Sequence, residues 1–260
     1  MTDAGAPRRL TLTALPGIPM VEPGADLAAI ILDGVARAGE TLRDRDVLVV
    51  AQKIVSKSEN RYVDLRTIVP SEQASALARE VDKDPRLVEV ILGESSEVVR
   101  YRTGVLVVAH RLGFVLANAG VDQSNITHED ELDRVLLLPE NPDASAARLR
   151  DALRDRAGVD VGVIVNDSLG RPWRNGTVGV ALGAAGVQCL QDLRGTPDLF
   201  GRTLRVTEVG VGDELASAAS LLMGQAGEST PVILARGVDL GDSWAGASAL
   251  LRSKSMDLFR

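Results

Sequence analysis

Residues 163–165, Val-Ile-Val, run without a spacer into Asn166-Asp167-Ser168-Leu169-Gly170-Arg171-Pro172-Trp173-Arg174-Asn175-Gly176. This switch from aliphatic to polar constrains the fold more than any other feature. The apolar run reads as a strand, and the polar run as a loop at its end, where sites are usually built. The strand fixes the position of Asp167. Gly170 and Gly176 let the backbone come close to a ligand, and Arg171 and Arg174 can face an anion. That composition suits a phosphorylated substrate held together with a metal ion.

With 260 residues and 45% hydrophobic content, the chain can bury roughly three quarters of the surface it exposes when unfolded. Aromatic residues make up only 3%, so the core is aliphatic and base-stacking surface is sparse. A net charge of -7 points the same way, against nucleic-acid binding. No apolar run approaches the ~20 residues needed to span a bilayer, and residues 1–9 lack the apolar segment of a signal peptide. The expectation is a cytoplasmic protein without membrane contact. Cys189 is the lone cysteine, and His110 and His128 are the only histidines, so any metal is expected on oxygen ligands.

Along the chain, residues 10–15 read as a strand, 16–24 as a Pro-rich loop and 26–38 as a helix. Residues 46–51 form a buried strand leading into 52–61, and 71–81 and 87–92 read as helices around Pro85. Residues 105–110 and 114–118 flank a glycine-containing connection like a β-hairpin. The second of these strands runs into the polar loop 119–125, so an aspartate, Asp122, again follows a buried strand. Residues 143–157 form a helix with Asp143 as N-cap, and its alternating Arg and Asp residues read as a solvated face. Further strands are expected over 159–165, 178–182, 204–211 and 232–235. A helix over 213–223 turns Leu215, Ala218, Ala219 and Leu222 inward. Without a steady βαβ rhythm the class is α+β, with mixed, partly antiparallel sheets. A tail of residues 1–9 precedes a single module, 10–260, or two interleaved subdomains.

No P-loop and no Rossmann glycine pattern is present. Gly241-Asp242-Ser243-Trp244-Ala245 approaches a nucleophile elbow, but ends in Ala and lacks a closely preceding strand. Lys53 and Lys57, four apart after a buried strand, could reach one polyphosphate from a helix or could simply be solvated. Asp122 and Asp167 would repel at one point unless a hard cation lay between them, while each alone could be a turn former. Ser168 and Asn125 add oxygen donors beside them. Residues 223–230, Met-Gly-Gln-Ala-Gly-Glu-Ser-Thr, could line a nucleotide pocket or be a plain helix C-cap and loop. Glu208 is either a surface residue or part of a metal shell. His110 reads as a sheet residue and Trp173 as a packing anchor.

Taken in order, Leu-Pro-Gly-Ile-Pro at 15–19, Gln-Lys-Ile-Val-Ser-Lys at 52–57, Ala-Gly-Val-Asp-Gln-Ser-Asn at 119–125, the run 166–176 and Asp-Glu-Leu-Ala at 213–216 resemble one family. It is the coenzyme F420-0:L-glutamate ligase family, and the expectation is its stand-alone form, without the C-terminal nitroreductase-like domain of some members. The resemblance extends from about Leu10 to about Gly237. It implies that family's fold, an intertwined homodimer, and a GTP-dependent amide ligase that adds L-glutamate to a deazaflavin precursor and extends a γ-linked tail through an acyl phosphate. It implies Mg²⁺ or Mn²⁺, with K⁺ as a further ion. Asp122, Asp167 and Lys57 would be catalytic, with Asp122, Asp167, Ser168 and Gln225 on metal. Ile18, Pro19, Met20, Val21, Gln52, Lys53, Lys57, Asn125, Met223, Gly224, Gln225, Ala226, Gly227, Glu228, Ser229 and Thr230 would line the GTP site. Gln52 and Ser168 depart from the Ser or Thr, and the Thr, that the family pattern carries there. The alternatives are another nucleotide-dependent ligase or phosphotransferase with a different carboxylate acceptor, and a non-catalytic nucleotide- or deazaflavin-binding protein.

Overall fold

The computed structural model describes residues 8–123, 133–241 and 245–258. In chain order its elements are β1 (Thr11–Ala14), α1 (Leu27–Arg37), β2 (Val47–Ala51), α2 (Gln52–Ser58), β3 (Tyr62–Asp64), α3 (Glu72–Val81), α4 (Pro85–Gly93), β4 (Ser95–Arg102), β5 (Val105–His110) and β6 (Val115–Ala117). There follow β7 (Arg134–Leu136), α5 (Pro142–Ala157), β8 (Gly162–Arg171), β9 (Arg174–Ala185), β10 (Gln191–Asp192), β11 (Glu208–Val209), α6 (Val211–Met223) and β12 (Val232–Arg236).

Among the described residues the largest sheet is five-stranded, in the order β1-β12-β2-β8-β9. Strands β2 and β8 are parallel and the other neighbours antiparallel, so the sheet is mixed, as expected of an α+β chain. Helices cover it on both sides, which is why β2 and β8 begin as unbroken aliphatic runs rather than alternating patterns. Leu48, Val50, Val163 and Val165 pack with Ile31 of α1 and Leu149 and Leu153 of α5. Val47, Val49, Ile164 and Ile233 pack on the other face with Ala216 and Ala219 of α6. Each large aliphatic side chain so buried contributes about 1.5–3 kcal/mol.

A second core gathers α3, α4, β5 and the β3–β7 pair around Leu65, Val88, Ile91, Leu106, Val108 and Val135. The expected hairpin is present as β5 and β6, within the three-stranded sheet β4-β5-β6. Phe114, Leu116 and Leu138 then pack on Leu169 and Leu182, tying this unit to the β8–β9 side of the large sheet.

Several local expectations are corrected. The polar run after Val165 is no loop: β8 continues through Arg171, turns at Pro172 and Trp173, and returns as the twelve-residue β9. Polarity there reflects a strand end lining a cavity, where alternation places Asp167 and Leu169 on one face and Asn166 and Ser168 on the other. Trp173 caps the hairpin tip with φ +59° and is 79% exposed, so it is not a packing anchor. The strand expected over 204–211 shrinks to Glu208–Val209, paired with β10, and Val206 is exposed. On α6 the inward residues are Gly212, Leu215, Ala216, Ala219 and Met223, with Leu222 outward.

The N-cap of α5 is Asn141, whose side chain accepts from Ala144 N, not Asp143. Asp143 lies in the first turn, and its carboxylate accepts from the backbone N–H groups of Ala184, Ala247 and Ser248. The charged face of α5 is also not merely solvated. Arg148 pairs with Glu59, Arg150 with Asp160 and Arg156 with Asp26, the residue that caps α1.

Candidate active site

Strand β2 hands directly into α2 at Ala51, so Gln52 and Lys53 open the helix and Lys57 follows one turn later. Because β8 runs parallel beside β2, with Ala51 opposite Asn166, the carboxyl ends of both strands deliver residues to one place. This is the end of an open sheet where ligands bind in α/β architectures. The segment after α6 returns to the same end, where Ala51 N donates to Pro231 O at 2.8 Å. The chain leaving β1 does likewise, with Leu15 N donating to Val232 O.

These segments enclose a cavity of about 290 Å³ lined by residues 18–21, 51–54, 57, 166–168, 223–227 and 229–231. Of the residues expected on the nucleotide, Ile18, Pro19, Met20, Val21, Gln52, Lys53, Lys57, Met223, Gly224, Gln225, Ala226, Gly227, Ser229 and Thr230 stand in this wall, with Asp167 and Ser168 beside them. Glu228 does not. Its carboxylate turns back to accept from Ala226 N at 2.8 Å, and that contact holds it below the ordinary glutamate value. Gly224, at φ +71°, lets the loop close around it: a Cβ there would meet the Glu228 carboxyl carbon at 2.1 Å. Asn125 lies outside the described residues, as do residues 242–244 of the elbow-like segment.

Asp122 is outside the wall but is tied to it, because Lys53 Nζ lies 2.7 Å from its Oδ2. Its backbone is clamped against Leu136 by reciprocal hydrogen bonds of 2.9 Å. The approach to it is strained: Asn118, Ala119 and Gly120 have φ of 52°, 54° and 66° in succession, a left-handed turn that L-residues rarely sustain. Such strain persists where the surroundings over-determine it, and here Val121 packs on the second core while Asp122 meets Lys53 at the start of α2.

Burial pushes the Asp167 carboxyl up to about 7. The nearby Asp122 charge adds to this, while the Ser168 N–H and Lys53 oppose it. The Asp122 charge is thus one cause of the raised Asp167 value, behind burial. Burial likewise holds the Lys57 ammonium below the ordinary lysine value, with Lys53 reinforcing the effect and Glu22 and Asp122 opposing it. Gln52 is buried and accepts from Ser56 Oγ at 2.9 Å.

Sequence reasoning missed Ala51, Ile54, Asn166 and Pro231 in the wall. Asn166 is the informative omission. It is buried, its Nδ2 faces the Met223 sulfur at 3.3 Å, and its Oδ1 has no hydrogen-bond partner. Its place at the end of a parallel strand beside Asp167 was the available signal.

Other candidates fall away. Glu208 is a surface residue paired with Arg194. His110 ends β5, buried far along the second core, accepting from Leu112 N on Nδ1 and lying 3.3 Å from Glu94 on Nε2. Cys189 is buried, and its thiol is pushed up to about 12, chiefly by burial, so it is inert. Among the described residues no three His, Cys, Asp or Glu side chains converge as a ready-made metal cluster, and no helix is long and apolar enough to cross a membrane.

A mixed α+β scaffold that sets two lysines, an aspartate and a glycine-containing loop around one cavity is built as a small-molecule site. The family model described as F420-0:Gamma-glutamyl ligase matches residues 17–237, and the chain belongs to this family of ligases. It is similar to proteins named coenzyme F420:L-glutamate ligase from Methanothermobacter thermautotrophicus, at 44% identity over 96% of this chain and 99% of the relative, and from Methanopyrus kandleri, at 48% over 92% and 93%. A protein of the same name from Haloarcula marismortui is 40% identical over 95% of this chain and 94% of its own.

Proposed function

We propose that this chain joins L-glutamate to the carboxylate of the deazaflavin precursor F420-0, using GTP, and extends the product as a γ-linked tail. The observation that carries the reading is the convergence of residues 18–21, the start of α2, Asp167, Ser168 and the 223–231 loop on one cavity. A carboxylate is a poor electrophile and needs activation before an amine can attack it. In the proposed sequence an acceptor carboxylate oxygen attacks the γ-phosphorus and GDP leaves. The glutamate amine then attacks the carbonyl carbon of the acyl phosphate, and inorganic phosphate leaves as the amide forms. Lys53 and Lys57 would offset charge on the transferring phosphoryl group, and the cavity walls would orient the reactants and exclude water.

The donor set fits a hard divalent cation. Asp167, Ser168 and Gln225 offer oxygens from the wall, and Asp122 is tied to it through Lys53. These four residues would hold Mg²⁺ or Mn²⁺, with K⁺ as a further ion. Bound there, a cation supplies charge neutralisation to the phosphates. The expected assembly is a homodimer.

Mass spectrometry of F420-0 incubated with the protein, GTP, Mg²⁺ or Mn²⁺ and L-glutamate tests the reading, with GDP followed in parallel. Glutamyl increments matched by GDP are expected. Nucleotide binding without any increment would move the acceptor to another carboxylate, and acceptor-independent binding of both partners without GDP would leave a non-catalytic binder.

A further inference from the structure

Beyond Asp167, β8 runs four residues further to Arg171, about 13 Å along a strand at its usual rise. Leu169 is buried, Gly170 is exposed, and Arg171 turns inward again, with Nη1 fully buried. Its cross-strand partner, in the last pair before the turn, is Arg174. Like charges directly opposite on neighbouring strands repel. Among the described residues neither arginine has an acidic partner, and Arg171 Nη1 has no hydrogen-bond acceptor. A buried guanidinium N–H without an acceptor and an uncompensated pair of cations are both relieved by the same thing, an anion. The planar fork of arginine matches a carboxylate bidentately.

Charge allocation narrows the anion. Lys53 is engaged by Asp122, and Lys57 lies in the cavity assigned to the nucleotide. Arg171 and Arg174 are two further cations on the hairpin that carries Asp167, beyond the wall of that cavity, with Arg174 exposed at the tip. An amino dicarboxylate that must present its amine at the Asp167 end needs both carboxylates held elsewhere, and the two guanidinium groups stand on the same hairpin as Asp167. We propose that Arg171 and Arg174 form the subsite for the carboxylates of the incoming L-glutamate. This rests on the ligase reading above.

Steady-state GDP release, followed as L-glutamate, GTP and F420-0 are varied in turn, tests it in the full chain and in Arg171→Gln, Arg174→Gln and Arg171→Lys. The KM for L-glutamate is expected to rise at least tenfold in the Gln variants and less in Arg171→Lys, which keeps the charge but loses the fork. The KM values for GTP and F420-0 and the melting temperature should hold. An unchanged glutamate KM would overturn the assignment, as would equal shifts for all three substrates, or a change of oligomeric state with the glutamate KM intact. If the unsubstituted chain binds GDP but adds no glutamate, the ligation of L-glutamate to F420-0 proposed above fails and takes this subsite with it. Only the variants' KM values bear on the arginines alone.

Discussion

Asp167 carries the sharpest electrostatic consequence of any single residue. Its carboxyl is pushed up from an ordinary 3.8 to about 7. Between those values the folded chain keeps a proton that the unfolded chain has released, so this group favours the fold at low pH, and the benefit is lost as pH rises through about 7. In protein stripped of divalent cations, the melting temperature of Asp167→Asn relative to the parent should therefore climb as pH is raised from about 5 to about 8. A difference that stays flat would mean the carboxyl titrates normally. For activity, Asp122→Asn and Asp167→Asn should each abolish cation-dependent GDP release. Full turnover in both would remove these carboxylates from the metal assignment.

At the scale of elements, the β8–β9 hairpin is pinned from both faces by helices that approach closer than ordinary side chains allow. A Cβ at Gly183 would meet the Pro142 carbonyl oxygen at 2.3 Å, so Gly183→Ala must push α5 off the sheet. The expected cost is about 1–3 kcal/mol, read as a lower midpoint in urea. Nearby, the Asp143 carboxylate accepts from Ala184 N and Ala247 N, both at 2.8 Å, joining β9 to the C-terminal segment. Asp143→Ala strands those donors, and a loss of about 1–3 kcal/mol for each one left without water is expected by the same melt. A midpoint within experimental error of the parent would show that solvent replaces the carboxylate.

Across the whole molecule, ligand binding and assembly are the properties to measure. If the cavity takes a guanine nucleotide, GDP at about a hundred times its Kd should add about 2.7 kcal/mol to stability, seen as a rise in Tm that a chelator reverses. No rise with GDP, with or without Mg²⁺, would disconnect the cavity from nucleotide. The excursion between β10 and β11 exposes Leu199 at 99% and Phe200 at 96%, an unusual presentation for side chains of that size. It supports the expected homodimer, for which light scattering should return twice 27.5 kDa. A monomer at working concentrations would leave that apolar segment without its expected cover.

The aliphatic runs at 47–50 and 163–165, the helices beginning near 26 and 71 and the spacing of Lys53 and Lys57 were legible in the residues, because local periodicity is decided within a few positions of chain. The family motifs also placed nearly the whole cavity wall, since those residues are clustered in short segments. What they do not contain is the pairing. That residues 166–171 form a strand rather than a loop depends on β9 lying alongside, 174–185 supplying the hydrogen bonds. That the Asp143 carboxylate bridges to Ala184 and Ala247, remote in sequence, depends on β9 and the C-terminal segment being folded around the start of α5. The raised carboxyl of Asp167 and the Lys53–Asp122 ion pair depend on burial and on charges brought together from separate elements. Those are energies of long-range contact, and only the folded chain makes them.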